Sequence, residues 1–329
     1  MSIKLSILEQ STLPENATAA TAIADTLAVA READRLGFHR LWLSEHHNLP
    51  ILQGSAPEVL LASIGAQTSR IRIGSGGVML PNHSAFRIAE TFRMLEALYP
   101  GRIDCGVGRA GGGDRYSQSL LNPAPGAGGD FAEQVVQLER FFHDECKQAI
   151  AMPTVDRAPP MWLLSAGGHA SSGRLAAEKG MGLAVALFIN PEATVEAVQE
   201  YRKHFVGSRE FQEPRVMIAI NVVSAADEAR LQTLKKASDY FRLMRDTGRY
   251  PNSVPLPETL EQVRYSAEQV SYLAQISNRE VVGLPNDAKA KILERAARYE
   301  ADEVMLTTMT HDIADKLETY RLLAEAFSL

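Results

Sequence analysis

Arg40-Leu41-Trp42-Leu43-Ser44-Glu45-His46-His47-Asn48 passes from an apolar run into an acid, two imidazoles and an amide without a break. An apolar run this short reads as a buried strand. Polar groups crowded at its C-terminal end read as a place where a sheet meets a ligand. On the N-terminal side, Ile23, Leu27, Ala30, Ala33 and Leu36 recur at steps of three and four. That period predicts a helix from Ala19 to Leu36, with Gly37 as its C-terminal cap. Before the helix, Leu5 to Leu8 reads as a first strand.

The strand–helix unit repeats outward from this stretch. A helix is expected over Glu58–Thr68, a strand over Ile71–Leu80 with Gly76-Gly77 inside it, and a helix over Phe86–Leu98 stopped by Pro100-Gly101. Ile103–Arg109 is a fourth strand, followed by a glycine-rich loop to about Gly129 and a helix Phe131–Phe142. Met161–Ser165, Leu183–Ile189, Val216–Val223 and Glu303–Thr308 complete eight strands, and Ile313–Phe327 closes the chain as a helix. Helices Gly173–Lys179 and Ala193–His204 follow the fifth and sixth strands. Eight such units predict an α/β chain folded as a (β/α)₈ TIM barrel. A doubly wound sheet is disfavoured because no G-x-G-x-x-G follows the first strand.

At 329 residues the chain exceeds a minimal barrel, and most of the surplus lies between strands seven and eight. A helix Leu231–Met244, a proline-rich link Gly248–Pro257 and a polar helix Glu258–Ile276 are expected there. One barrel domain over residues 1–329 with this insertion is the predicted organisation.

Lys and Arg number 34 against 40 Asp and Glu, a net charge of −6 without a basic block. This excludes nucleic acid and anionic membrane as main partners. Hydrophobic content of 45% and charged content of 22% exclude general disorder. Two cysteines cannot build a disulfide scaffold, and Cys105 within a strand reads as a buried reduced thiol. With no apolar leader or membrane-length run, a cytoplasmic protein is expected.

In a barrel the chemistry gathers where strands end. Those ends carry Glu9 and Gln10; Glu45, His46, His47 and Asn48; Gly76, Gly77, Asn82 and His83; Arg109; Ser165, Gly168, His169, Ser171 and Ser172; and Thr307, Thr308 and His311. Adjacent histidines on an extended chain point to opposite sides, so one of His46 and His47 can face a cavity as a proton carrier. The alternative is a structural histidine bonded to backbone. Gly167-Gly168-His169-Ala170-Ser171-Ser172 opens a helix after a strand, which suits an anion, or Ser171 and Ser172 merely cap the helix. Arg109 among glycines suits a phosphate, or pairs with a carboxylate. Gly76-Gly77 marks a bulge, an unusual peptide or a flat ligand against the backbone. Trp42 and Trp162 are expected to pack between barrel and helices. No metal is expected, because no ligand spacing signature is present.

Trp42-Leu43-Ser44-Glu45-His46-His47, Gly74-Ser75-Gly76-Gly77-Val78-Met79-Leu80-Pro81 and Gly106-Val107-Gly108-Arg109 resemble the bacterial luciferase-like flavin-dependent monooxygenases. Ala176–Gly180 and Val282–Pro285 add to the likeness, which spans nearly the whole chain and is nearest to single-subunit, luciferase alpha-chain-like oxidoreductases. The resemblance implies FMN, used reduced and supplied by a separate NAD(P)H:flavin reductase. With O₂ it would form a C4a-peroxyflavin that oxygenates a small organic substrate. It implies His46 as the catalytic histidine and Arg109, Gly168, His169 and Ser172, with the adjacent Ser171, at the FMN phosphate. Gly76-Gly77 falls at the family's non-proline cis peptide beneath the flavin, and Gly108 where luciferases carry a reactive cysteine. Residues from about Asp246 to Gly283 fall at the family's mobile lid, and a homodimer through helices two and three is implied. Three alternatives stand beside this reading. They are a deazaflavin-dependent dehydrogenase, a flavin-binding protein without catalysis, and a metal-dependent barrel hydrolase using Glu45, His46, His47 and His311.

Overall fold

The computed structural model describes residues 3–122, 129–166, 170–190 and 195–329. Strands β1 (Lys4–Glu9), β2 (Arg40–Leu43), β3 (Arg72–Met79), β4 (Ile103–Gly108), β5 (Met161–Ser165), β6 (Gly182–Ala186) and β7 (Val216–Val223) pair in parallel in chain order. A very short β8 (Val281–Val282) pairs in parallel beside the C-terminal end of β7. Strand β9 (Glu303–Thr307) lies between β7 and β1 and closes the ring. Eight parallel strands thus form a closed barrel, as the strand–helix alternation requires.

The helices wrap the outside: α1 (Ala19–Leu36), α2 (Pro57–Gln67), α3 (Ala85–Leu98), α4 (Arg115–Leu121), α5 (Phe131–Phe142), α6 (Ala170–Glu178), α7 (Val195–Lys203), α8 (Glu228–Asp246), α9 (Pro257–Gln262), α10 (Ala267–Gln275), α11 (Pro285–Arg298) and α12 (Ile313–Phe327). Thr18 and Gly37 bracket α1, the Thr18 hydroxyl accepting the Thr21 N–H and Gly37 taking positive φ. Alternate strand residues such as Ile7, Leu41, Ile73 and Val107 face the helices in one large apolar cluster. No helix among the described residues is long and apolar enough to cross a membrane.

Inside the ring lies a second apolar cluster containing Leu8, Trp42, Trp162, Met217 and Met305. Trp42 and Trp162 therefore fill the barrel instead of packing between barrel and helices. Their rings meet edge to face at 5.6 Å. Glycines on neighbouring strands make this possible: a Cβ on Gly74 would lie 2.8 Å from Trp42, and one on Gly182 would lie 2.4 Å from Trp162. The strand sequence alone does not say which way the indoles point. The glycines facing them do.

At the N-terminal end the barrel is plugged by charge. The buried Arg40 guanidinium donates to Asp104 at 2.7 Å and to both Glu303 oxygens at 2.7 and 2.9 Å. Arg72 donates to Asp104 at 2.5 Å. Burial alone would raise the Asp104 pKa, but Arg40 and Arg72 outweigh it and hold the carboxyl below its ordinary value. This closes one end of the barrel and leaves the C-terminal end for a ligand.

Between β7 and β9 the chain carries α8 to α11 and β8. The polar helix expected over Glu258–Ile276 is two helices, because Val263 caps α9 in extended geometry and Ser266 starts α10 with a capping box. Helices α4 and α11 were not foreseen from the sequence. The segment is pinned where it begins and ends. Buried Arg242 on α8 pairs with Glu280 at 3.0 Å and donates to the Ile276 carbonyl at 2.9 Å. Val254 and Leu260 pack on Ile51 and Leu52 after β2 and on Met309 after β9, which sets these residues against loops at the C-terminal face.

Candidate active site

A cavity of about 400 Å³ opens at the C-terminal end of the barrel. Its floor is the inner apolar cluster, including Leu8, Trp42, Met217 and Met305. Its walls come from the strand ends.

The end of β2 separates two histidines. His46 lines the cavity, and its amide is fixed by the Gly54 carbonyl at 2.9 Å. His47 turns instead to Glu45, with its Nε2 2.8 Å from Glu45 Oε1. The expected opposition of neighbouring side chains is therefore met. Burial pushes the His46 pKa down, outweighing the Gly112 carbonyl and the Glu45 charge that pull it up. Burial thus favours the neutral imidazole, whose lone pair can accept a proton. In an NMR titration its ring protons are expected to shift only below the ordinary imidazole value of about 6.5. A midpoint above that value contradicts the burial argument.

Glu45 is a structural hub, with its side chain almost fully buried. One oxygen accepts the Met79 amide at 2.8 Å and the other faces His83 Nε2 at 2.9 Å as well as His47. Burial alone would raise the Glu45 pKa, but His83, His47 and the Met79 amide hold it below its ordinary value. The same contact raises the His83 pKa despite burial. The carboxylate ties the end of β2 to the end of β3. Sequence reading noted both ends but gave no sign that they join.

In β3 the Gly76–Gly77 peptide is cis, and the pairing with β4 shifts register between Gly76 and Val78. Gly76 borders the cavity, while Gly77 is buried behind it against Gly106. A Cβ on Gly76 would lie 2.9 Å from Trp42 and 3.0 Å from Leu8, so only glycine keeps this wall flat. Gly108 and Arg109 line the mouth at the end of β4. Arg109 is exposed and makes no hydrogen bond or ion pair with any described residue, so the carboxylate pairing considered for it does not occur among them.

Ser172, in the first turn of α6, reaches the cavity. Ser171 is exposed and does not line it. Gly168 and His169 lie outside the described residues. His311 is turned to the Glu15 carbonyl at 3.1 Å. Among the described residues no cluster of three His, Cys, Asp or Glu could hold a metal. Among the wall residues, Gln10 was noted only as a strand end, and Phe188 and Ile189 were not noted as site residues. The sixth strand stops at Ala186 and not at Ile189, because residues 187–189 turn, with the Phe188 amide on the Ala219 carbonyl at 3.1 Å. The turn carries Phe188 and Ile189 over the cavity.

A closed parallel barrel with an apolar cavity at its C-terminal mouth, a rim arginine without a partner among the described residues and a half-buried histidine in the wall defines a barrel protein built to hold a small molecule. The chain belongs to the luciferase-like monooxygenase family, whose model matches residues 3–323. An uncharacterized Bacillus subtilis (strain 168) protein, YwcH, is 40% identical, with 99% of each chain covered. The crystal structure of apo-MsnO8 superposes with a TM-score of 0.91 at 35% identity, covering 100% of this chain and 98% of that one. The oxygenating constituent of 3,6-diketocamphane monooxygenase from Pseudomonas putida, solved in complex with FMN, shares the fold with a TM-score of 0.69 at 18% identity. That match covers 99% of this chain and 98% of the other. The chain is thus a luciferase-like monooxygenase by family.

Proposed function

We propose that the protein binds reduced FMN and uses it with O₂ to oxygenate a small organic substrate. One observation carries this reading: the Arg109 guanidinium, without a partner among the described residues, the flat Gly76 wall, Ser172 and half-buried His46 all border one apolar cavity. The residues fit the cofactor. Arg109, uncommitted among the described residues, supplies a cation for the phosphate, assisted by Ser172 and by the proposed neighbours Gly168, His169 and Ser171. Gly76, backed by Gly77, and Gly108 allow close approach of a flat ring. The FMN complex of the related monooxygenase supports the choice of cofactor.

When bound, reduced FMN supplies two electrons to O₂, so that one oxygen atom enters the substrate and the other leaves as water. The protein's part is to exclude water with Leu8, Trp42, Phe188 and Met305, and to hold or move a proton at the His46 imidazole. Residues 246–283 are proposed to cover the mouth, supported by the packing of Val254 and Leu260 on its loops. The test is anaerobic binding of reduced FMN followed by ¹⁸O₂ and a panel of substrates. One ¹⁸O atom in the product is expected. Binding of a deazaflavin in preference to FMN, or FMN binding without oxygen transfer to any substrate, overturns the reading.

Reduced FMN is proposed to arrive from a separate reductase, as the family resemblance implies. Free Cys105 and Cys146 support a cytoplasmic setting. A homodimer through α2 and α3 is supported by exposed Val59, Met94 and Leu98. Met94→Glu with Leu98→Glu is expected to convert a dimer to monomer in analytical ultracentrifugation. An unchanged sedimentation coefficient places the interface elsewhere.

A further inference from the structure

We infer that the substrate is a compact, uncharged and mainly apolar molecule bearing one neutral hydrogen-bonding group, a carbonyl or hydroxyl, which the Gln10 amide receives. For the oxygenation itself this rests on the flavin reading above; for binding it stands on the cavity alone.

The floor sets the apolar body. Leu8, Trp42, Met217 and Met305 surround it, and Ala184 and Ala219 on β6 and β7 keep it open. The cavity of about 400 Å³ lies at the low end of small-molecule pockets, and a flavin ring must share it.

Charge is accounted for around this floor. Among the described lining residues the formal charges are Glu45 and Arg109. Both Glu45 oxygens are engaged, by the Met79 amide and by His47 and His83. Arg109 stands exposed at the rim, where the cofactor phosphate is proposed to sit. Arg245 comes near the Phe188 turn, but its guanidinium is committed to Asp246 at 2.9 Å and to the Phe188 carbonyl at 2.8 Å. A carboxylate or ammonium carried onto the floor would be desolvated without a partner.

Gln10 is the neutral hook. It follows β1, lines the cavity, is half-buried, and its amide makes no hydrogen bond to any described residue. An amide offers two donors and an acceptor, so it can read a carbonyl or a hydroxyl. Leaving it unpaired against a pure hydrocarbon discriminates against that hydrocarbon.

The molecule supplies its own reporter. Trp42 and Trp162 are the chain's 2 tryptophans, both lie inside the barrel, and Trp42 borders the cavity. Intrinsic fluorescence therefore reads ligand entry without flavin or turnover. The full chain is titrated with cyclohexanone, cyclohexanecarboxylate and methylenecyclohexane. Saturable quenching by the ketone is expected, with the carboxylate at least about tenfold weaker, the loss expected when a charge is buried unpaired. Gln10→Leu is expected to weaken the ketone by about two- to tenfold, the range for one neutral hydrogen bond, and to erase its advantage over the alkene. Ala219→Phe fills the floor and removes quenching by all three. The milder Ala219→Val covers the case in which Phe prevents folding, and should weaken the ketone in proportion to the lost space. Carboxylate binding as tight as the ketone overturns the inference, and so does an unaffected ketone in Gln10→Leu. The two readings fail separately. Selective quenching by ketone with no ¹⁸O transfer to any substrate removes the monooxygenase reading alone. ¹⁸O transfer confined to charged substrates removes this inference alone.

Discussion

His46→Ala is expected to lower turnover by about 10²- to 10⁴-fold, the range for losing a positioned general acid–base group. Affinity for reduced FMN should not change, because the imidazole lines the cavity wall and Arg109 holds the proposed phosphate site at the rim. The argument rests on placement. The His46 side chain borders the apolar cavity, and its backbone is held by Gly54 at 2.9 Å. Burial favours the neutral imidazole, which can accept a proton and, once protonated, return it. Activity should accordingly be level as pH falls to the ordinary imidazole value of about 6.5 and decline only below it. His47→Ala is the informative control. It loosens one contact to Glu45 but removes nothing from the cavity wall. Single-turnover oxidation of substrate by FMN-loaded protein is the measurement, and full turnover in His46→Ala removes the role.

Arg109→Ala is expected to weaken reduced FMN about ten- to a hundredfold, from about 1.5–3 kcal/mol for a charge-assisted hydrogen bond. Thermal stability should be unaffected, since the exposed guanidinium has no partner among the described residues to lose. Riboflavin separates phosphate binding from ring binding. It lacks the phosphate, so its affinity should be the same in wild type and Arg109→Ala. Added salt should weaken FMN in the wild type more than in the variant, because the contact lies in solvent and is screened. Equal FMN affinity in the two proteins, measured by anaerobic equilibrium dialysis, rejects the assignment.

The barrel was legible in the sequence because its strands are apolar runs bounded by turn residues and its helices keep a regular period. The ends of those strands were also legible, and most of the candidate site sits on them: His46, Gly76, Gly108, Arg109 and Ser172 border one cavity. Other strand-end residues could be listed but not sorted. Gly77 lies behind Gly76, Ser171 faces solvent, and Gln10 carried no motif to raise it above Glu9. Glu9 proves to be tied to buried Lys316 at 3.2 Å, a contact between the two ends of the chain that no local pattern announces. Helix α4 lay hidden in a glycine-rich stretch where propensity is weak.

By itself, then, the sequence determined the class of fold, the strand ends and the residue types at the cavity mouth, because hydrophobic period and turn chemistry are local properties of the chain. Only the tertiary structure decided which of those residues meet. The indoles of Trp42 and Trp162 turn inward because glycines on neighbouring strands leave room for them. Glu45 spends its charge on His47, His83 and a backbone amide, while His46 is left to the cavity. Those outcomes depend on contacts between strands distant in sequence, where space and unpaired charge are settled only when the barrel closes.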